Sequence, residues 1–146
     1  MTQTPLFQNA LTTSLSPAQI RARLLDLTDL PRWNPAITQV TPTSTGSHLT
    51  RQQPALNHSE DVTVTTTATQ VQYHSVGEHL AYTLTFTLMA TPTGTHLTEE
   101  LTLANSAALT TPLRLLVPLT QAAFARNLQL LVAPLPTEAN AGAAHD

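Results

Sequence analysis

Between residues 80 and 90 the chain alternates almost without a break. Leu80, Tyr82, Leu84, Phe86, Leu88 and Ala90 share one parity, and the intervening positions are mostly threonine. A period of two with apolar residues on one side predicts a β-strand with one buried face. The same pattern starts the chain, where Phe7, Leu11 and Leu15 share a parity with Asn9 and Thr13. It recurs over Ala36–Thr43, His48–Gln53, Asp61–Thr69, Val71–Val76 and about residues 95–104. Turn chemistry at Gly46-Ser47, at Gly77 and at Pro92-Thr93-Gly94 separates these runs, which suits hairpins. Seven strands are predicted in all.

Two regions break the period. Ser16-Pro17-Ala18-Gln19 supplies a helix start, with Ser as N-cap, Pro at the first helical position and Gln three residues after the cap. Ile20, Leu24 and Leu27 then form an apolar stripe over about residues 17–27. Asp29 to Trp33 adds one short turn, which Pro35 stops. Near the other end, Thr111-Pro112 repeats the cap-then-proline start, and 112–133 reads as one long helix. Its inward face carries Leu113, Leu116, Val117, Thr120, Phe124, Asn127, Leu128 and Leu131. Pro118 falls inside that span and predicts a kink, costing about 3 kcal/mol unless packing compensates. Residues 135–146 read as a frayed tail behind a single domain of residues 1–134.

An antiparallel sheet with one apolar face needs a cover, and the long C-terminal helix is the one available. The expected fold is therefore α+β, a helix grip. A curved, seven-stranded antiparallel sheet wraps around the long C-terminal helix, with two short helices after the first strand.

Composition narrows the chemistry. Charged residues make up 10% of the 146, against a usual value of about 25%. Threonine replaces most of the missing charge, which favours strands. Lysine and cysteine are both absent, removing Schiff-base chemistry, thiolate nucleophiles, disulfides and cysteine metal sites. A net charge of −3 forms no footprint for nucleic acid. The N-terminal MTQTPLFQNA has neither the basic region nor the apolar run of a signal peptide. No stretch reaches the roughly 20 apolar residues of a membrane span. A cytoplasmic protein without integral membrane association is expected. No motif calls for a cofactor, and a homodimer stays open.

The segments LSPAQIRARLLDLTDLPRWNPAI (15–37), THLTEELTL (95–103) and LRLLVPLTQAAFARNLQLL (113–131) together resemble the START-like, or SRPBCC, superfamily. Within it the likeness is to small bacterial polyketide cyclase/dehydrase-like proteins. The first segment is similar to that family's pattern of small residue, Pro, helix, Asp and Trp-Asn-Pro. The last resembles its closing helix, with a proline partway along and an Arg-Asn pair near the end. The resemblance covers nearly the whole chain. It implies a deep cavity between sheet and helix for lipids, sterols, polyketides or other apolar ligands. No catalytic set carries over with it, because catalytic residues differ between subgroups.

Glu99 has the parity of Leu97, Leu101 and Leu103, so it is expected on the apolar face, with Glu100 in solvent. A carboxylate there must be paired, hydrogen-bonded or protonated. It is the candidate acid/base or ligand anchor, against a bulge or a core carboxylate satisfied by a neighbour. Arg51 shares the parity of Leu49; inward, it would be a natural partner for Glu99, and otherwise it is exposed on a short strand. Tyr82, Phe86 and Tyr73 fall on buried faces, as core residues or as cavity lining. Trp33, between Pro31 and Pro35, is expected to close the corner after the helix pair, with part of its ring at the cavity entrance. With Thr120 and Phe124 from the long helix these make the candidate ligand-binding set. His48, His58, His74, His79, His96 and His145 show no metal-binding spacing, so no metal site is expected, and no serine stands in a nucleophile elbow.

Three functions follow. The leading expectation is binding of a small, mostly apolar ligand. The second is a cyclase/dehydratase-type enzyme using an inward Glu99 with Tyr82 or Arg51. The third is a ligand-free interaction module, which a core filled by Phe86, Phe124 and the leucines would favour.

Overall fold

Alternation in the sequence becomes alternation in burial. The structure, a computed structural model, describes residues 5–134. Its seven strands are β1 (Phe7–Thr13), β2 (Ile37–Pro42), β3 (Ser47–Arg51), β4 (Ser59–Thr66), β5 (Gln70–Gly77), β6 (Ala81–Thr91) and β7 (Gly94–Leu103). They form one antiparallel, curved open sheet in the order β1-β7-β6-β5-β4-β3-β2. Along β6, Tyr82, Leu84, Phe86 and Leu88 are buried while the threonines between them are partly exposed. The β6–β7 hairpin turns at Gly94, whose φ of +155° favours glycine, and a Cβ there would meet the Thr13 carbonyl at 2.0 Å.

Helix α1 (Pro17–Leu25) starts as its sequence predicts: the Ser16 hydroxyl accepts from the Gln19 amide, and the Gln19 side chain accepts from the Ser16 amide. A 3-10 turn at Leu27–Asp29 leads into α2 (Leu30–Trp33), which ends at Asn34 before Pro35. Trp33 is buried there and meets Phe86 edge-on, with ring centroids 6.3 Å apart. Tyr73 stacks edge-on against the same Phe86 at 5.3 Å, and its hydroxyl donates to the Leu24 carbonyl, tying β5 to α1. This aromatic column fills one end of the space between sheet and helices.

The long C-terminal helix differs from the expectation at its start. A short α3 (Thr111–Arg114) is followed by a break at Leu115–Leu116 and then by α4 (Val117–Val132). Pro118 lies in the first turn of α4, where its missing N–H has no intrahelical partner to lose. The expected kink inside one helix is thus a boundary between two. At the far end, Arg23 from α1 donates to the carbonyls of Leu131 and Ala133, both at 2.8 Å, capping α4 with a cation. The tail expected over 135–146 lies outside the described residues, as does His145. Among the described residues no helix is long and apolar enough to cross a membrane.

Candidate ligand-binding site

Between the sheet and α4 lies a cavity of about 420 Å³. Its floor is built by the buried Asn57, Glu60, Tyr82, Leu101 and Phe124 and the partly buried Arg51. Exposed residues form the rim: Pro35 after α2, Pro54 on the β3–β4 connection, and Leu119, Arg126, Gln129 and Leu130 along α4. A second void of about 20 Å³ lies deeper, where Trp33, Tyr73 and Ser75 join Arg51 and Tyr82.

Polar chemistry concentrates on the floor. Arg51, the last residue of β3, and Glu60, the second of β4, meet with Nε 2.5 Å from Oε1. Arg51 also reaches the Tyr82 hydroxyl on β6 at 3.4 Å, and its guanidinium stands 5.9 Å from the centroid of the Phe124 ring. Asn57 donates to the other Glu60 oxygen at 3.1 Å and to the Leu80 carbonyl at 3.0 Å. The Asn57 side-chain oxygen accepts from the amides of His79 and Leu80. Asn57 therefore pins the cavity wall to the β5–β6 turn. Gly77 makes room for it, since a Cβ there would come within 2.2 Å of the Asn57 side chain.

Burial pushes the Glu60 carboxyl up, but the Arg51 charge and hydrogen bonds from Tyr82, Asn57 and Arg51 outweigh it and hold Glu60 below the usual carboxylate range. Burial likewise opposes the charge of Arg51, and Tyr82 and Glu60 more than offset it. For Tyr82, burial and then the Glu60 charge drive the hydroxyl upward, so it stays protonated as a donor. The floor is a charged but neutralised pair beside a neutral phenol.

The candidates from sequence separate into three groups. Arg51, Tyr82, Thr120 and Phe124 line the cavity, although the Thr120 hydroxyl already donates to the Leu116 carbonyl of its own helix at 2.9 Å. Trp33 and Tyr73 border the deeper void instead. Phe86 and Glu99 line neither of these two spaces. Phe86 is fully buried between Trp33 and Tyr73.

Glu99 does face inward, at 1% exposure. Its neighbours are Asn9 on β1 and Phe86 on β6, and the Asn9 amide donates to its Oε1 at 3.3 Å while also reaching the Gln121 carbonyl on α4. Burial, opposed by the Asn9 hydrogen bond, pushes its carboxyl up to about 8. The anticipated pairing of Glu99 with Arg51 does not form. The two sit on β7 and β3, with β6, β5 and β4 between them. Glu60 takes that place. The expected strand began at Asp61, whereas β4 begins two residues earlier at Ser59 and puts Glu60 on the buried face of Val62. Extending the parity of Val62 and Val64 back by one step was the signal that would have found it.

Histidines are engaged singly: His48 with Asp61, His74 with Thr65 and Thr83, and His58 with Gln53. Among the described residues no three His, Cys, Asp or Glu side chains gather as a metal site.

The sequence profile described as "Polyketide cyclase / dehydrase and lipid transport" matches residues 7–136. The chain belongs to this family. Among curated proteins none matches the sequence. Solved structures share its START-like fold at low identity. The di-domain ARO/CYC StfQ from the steffimycin biosynthetic pathway is 16% identical, with a TM-score of 0.69, over 94% of this chain and 52% of that one. This chain thus spans about half of that di-domain protein. A START superfamily protein from Mycobacterium smegmatis is 19% identical with a TM-score of 0.65, covering 86% and 95% of the two chains. The protein TTHA0849 from Thermus thermophilus is 15% identical with a TM-score of 0.64, covering 85% and 92%.

Proposed function

We propose that this protein, as one cytoplasmic domain of residues 1–134, binds a small, mostly apolar ligand between the sheet and α4. The supporting observation is the cavity of about 420 Å³, walled by leucines and Phe124, with the Arg51–Glu60–Tyr82 cluster at its floor and Asn34 and Asn127 also in its lining. Mostly apolar walls with a few orienting polar groups are what small-molecule sites are made of, at volumes of about 300–1,000 Å³. In this reading the apolar body lies along α4 against Phe124 and Leu101, past Thr120, and the polar end sits at Arg51 and Tyr82. An open volume of this size favours a ligand over a solidly packed interaction module.

A second reading, cyclase- or dehydratase-type turnover, draws on the family and on Tyr82 and Arg51 as cavity-facing donors. Glu99 has the raised pKa that an acid/base would need but lines neither of the two spaces described, and Glu60 is held ionised by its partners. These features favour binding over Glu99-based catalysis.

Native mass spectrometry of freshly purified protein tests the binding reading, compared with its denatured mass and an organic extract. A discrete added mass that disappears on denaturation supports it. An apo mass that persists after incubation with a panel of neutral and acidic apolar compounds contradicts it.

A further inference from the structure

Resting on that binding reading, we infer that the cavity selects ligands whose buried polar end is a neutral, oxygen-bearing hydrogen-bond acceptor, such as a ketone, and discriminates against carboxylates.

The floor has already used its negative charge. Both Glu60 oxygens are engaged, one by Arg51 Nε at 2.5 Å and the other by Asn57 at 3.1 Å. Its donors are in surplus. Arg51 carries five N–H groups, of which one goes to Glu60 and one makes a long 3.4 Å approach to Tyr82. Among the described residues its Nη1 has no acceptor. The Tyr82 hydroxyl, a protonated phenol bonded to Glu60, lines the cavity beside those donors.

A neutral carbonyl oxygen meets those donors without bringing charge into an apolar enclosure. A carboxylate meets the same donors but arrives beside Glu60, whose charge cancels that of Arg51. Its desolvation then goes uncompensated. The charged side chain at the rim is Arg126, exposed on α4. An anionic group on a ligand therefore belongs at the mouth rather than at the floor.

The test is calorimetric titration at pH 7 with three probes sharing one apolar body: naphthalene, 2-acetylnaphthalene and 2-naphthoate. The expected order for the wild type is ketone above hydrocarbon above carboxylate, with at least about a tenfold gap between ketone and carboxylate, or 1.4 kcal/mol. Glu60→Gln keeps hydrogen-bonding capacity but leaves Arg51 uncompensated, and should move the preference toward naphthoate by tenfold or more. Tyr82→Phe should weaken the ketone alone and leave naphthalene unchanged, which keeps a second variant should Glu60→Gln fail to fold.

Naphthoate binding the wild type as tightly as the ketone would overturn the inference, as would a ketone no tighter than naphthalene. Failure of all three probes would instead count against the binding reading on which the inference rests.

Discussion

Arg51 and Glu60 meet across the β3–β4 pair at 2.5 Å, both nearly buried, on the floor of the cavity between the sheet and α4. A pair removed from water in this way owes its tolerance to each partner. Removing one leaves the other charge without compensation, at a cost of about 3–5 kcal/mol. Arg51→Ala should therefore lower unfolding stability by an amount in that range, measured by urea denaturation at pH 7. An exposed pair would lose about 0–1 kcal/mol instead.

The two buried carboxylates give the stability curve opposite slopes. Glu60 is held below its ordinary value of 4.5, so its contribution is present above that pH and is lost as the pH falls through its folded pKa. Glu99 moves from 4.5 up to about 8 on folding, so between those values the folded state binds a proton the unfolded chain has released. Stability then declines as pH rises from 4.5 toward 8, and the full penalty is present above 8. Together they place maximal stability in the mildly acidic range. Glu99→Gln, which can still accept from Asn9, should flatten the decline and raise stability at pH 8.5 by an amount on the order of a few kcal/mol. Thermal unfolding across pH 4 to 9 reads both effects, and an unchanged alkaline slope in Glu99→Gln would refute the assignment.

Gly77 and Asn57 act as a unit. Gly77→Ala puts a methyl on top of the Asn57 side chain, and Asn57→Ala removes the pin that holds the cavity wall to the β5–β6 turn. Each should cost about 1–3 kcal/mol. The double variant should cost clearly less than their sum, because the second change has nothing left to displace. Additive losses in a denaturation cycle would show that the two positions are independent.

Pro118 separates two accounts of the C-terminal helices. In the first turn of α4 it breaks no helical hydrogen bond, so Pro118→Ala should change stability by less than about 1 kcal/mol. A gain near 3 kcal/mol would mean that the proline sits inside a continuous helix.

Most of the architecture was legible in residues whose pattern is local. The threonine alternation in β6, the Ser16 capping box and the parity that turned Glu99 inward each needed only a few neighbouring positions. What stayed hidden depends on which strands lie side by side. Arg51 and Glu99 share an inward orientation, but strand order sets them on β3 and β7, and the periodicity within a strand does not display that order. Glu60 is hard to read because β4 begins at Ser59, where Asn57 rather than an apolar residue anchors the chain ahead of the strand. Trp33, Tyr73 and Phe86 carry the composition of a binding pocket and the contacts of a core. Only their packing against one another decides between the two.

The central claim is that the space between the sheet and α4 receives an apolar ligand. Ala123 lines that space from α4 and is only partly buried, so Ala123→Trp fills it from a rigid element. The most direct measurement is calorimetric titration of 2-acetylnaphthalene into wild-type protein and into a folded Ala123→Trp variant. Saturable binding to the wild type that disappears in the variant, with thermal stability retained, is the predicted result. Equal binding to both proteins would place the ligand elsewhere and contradict the account.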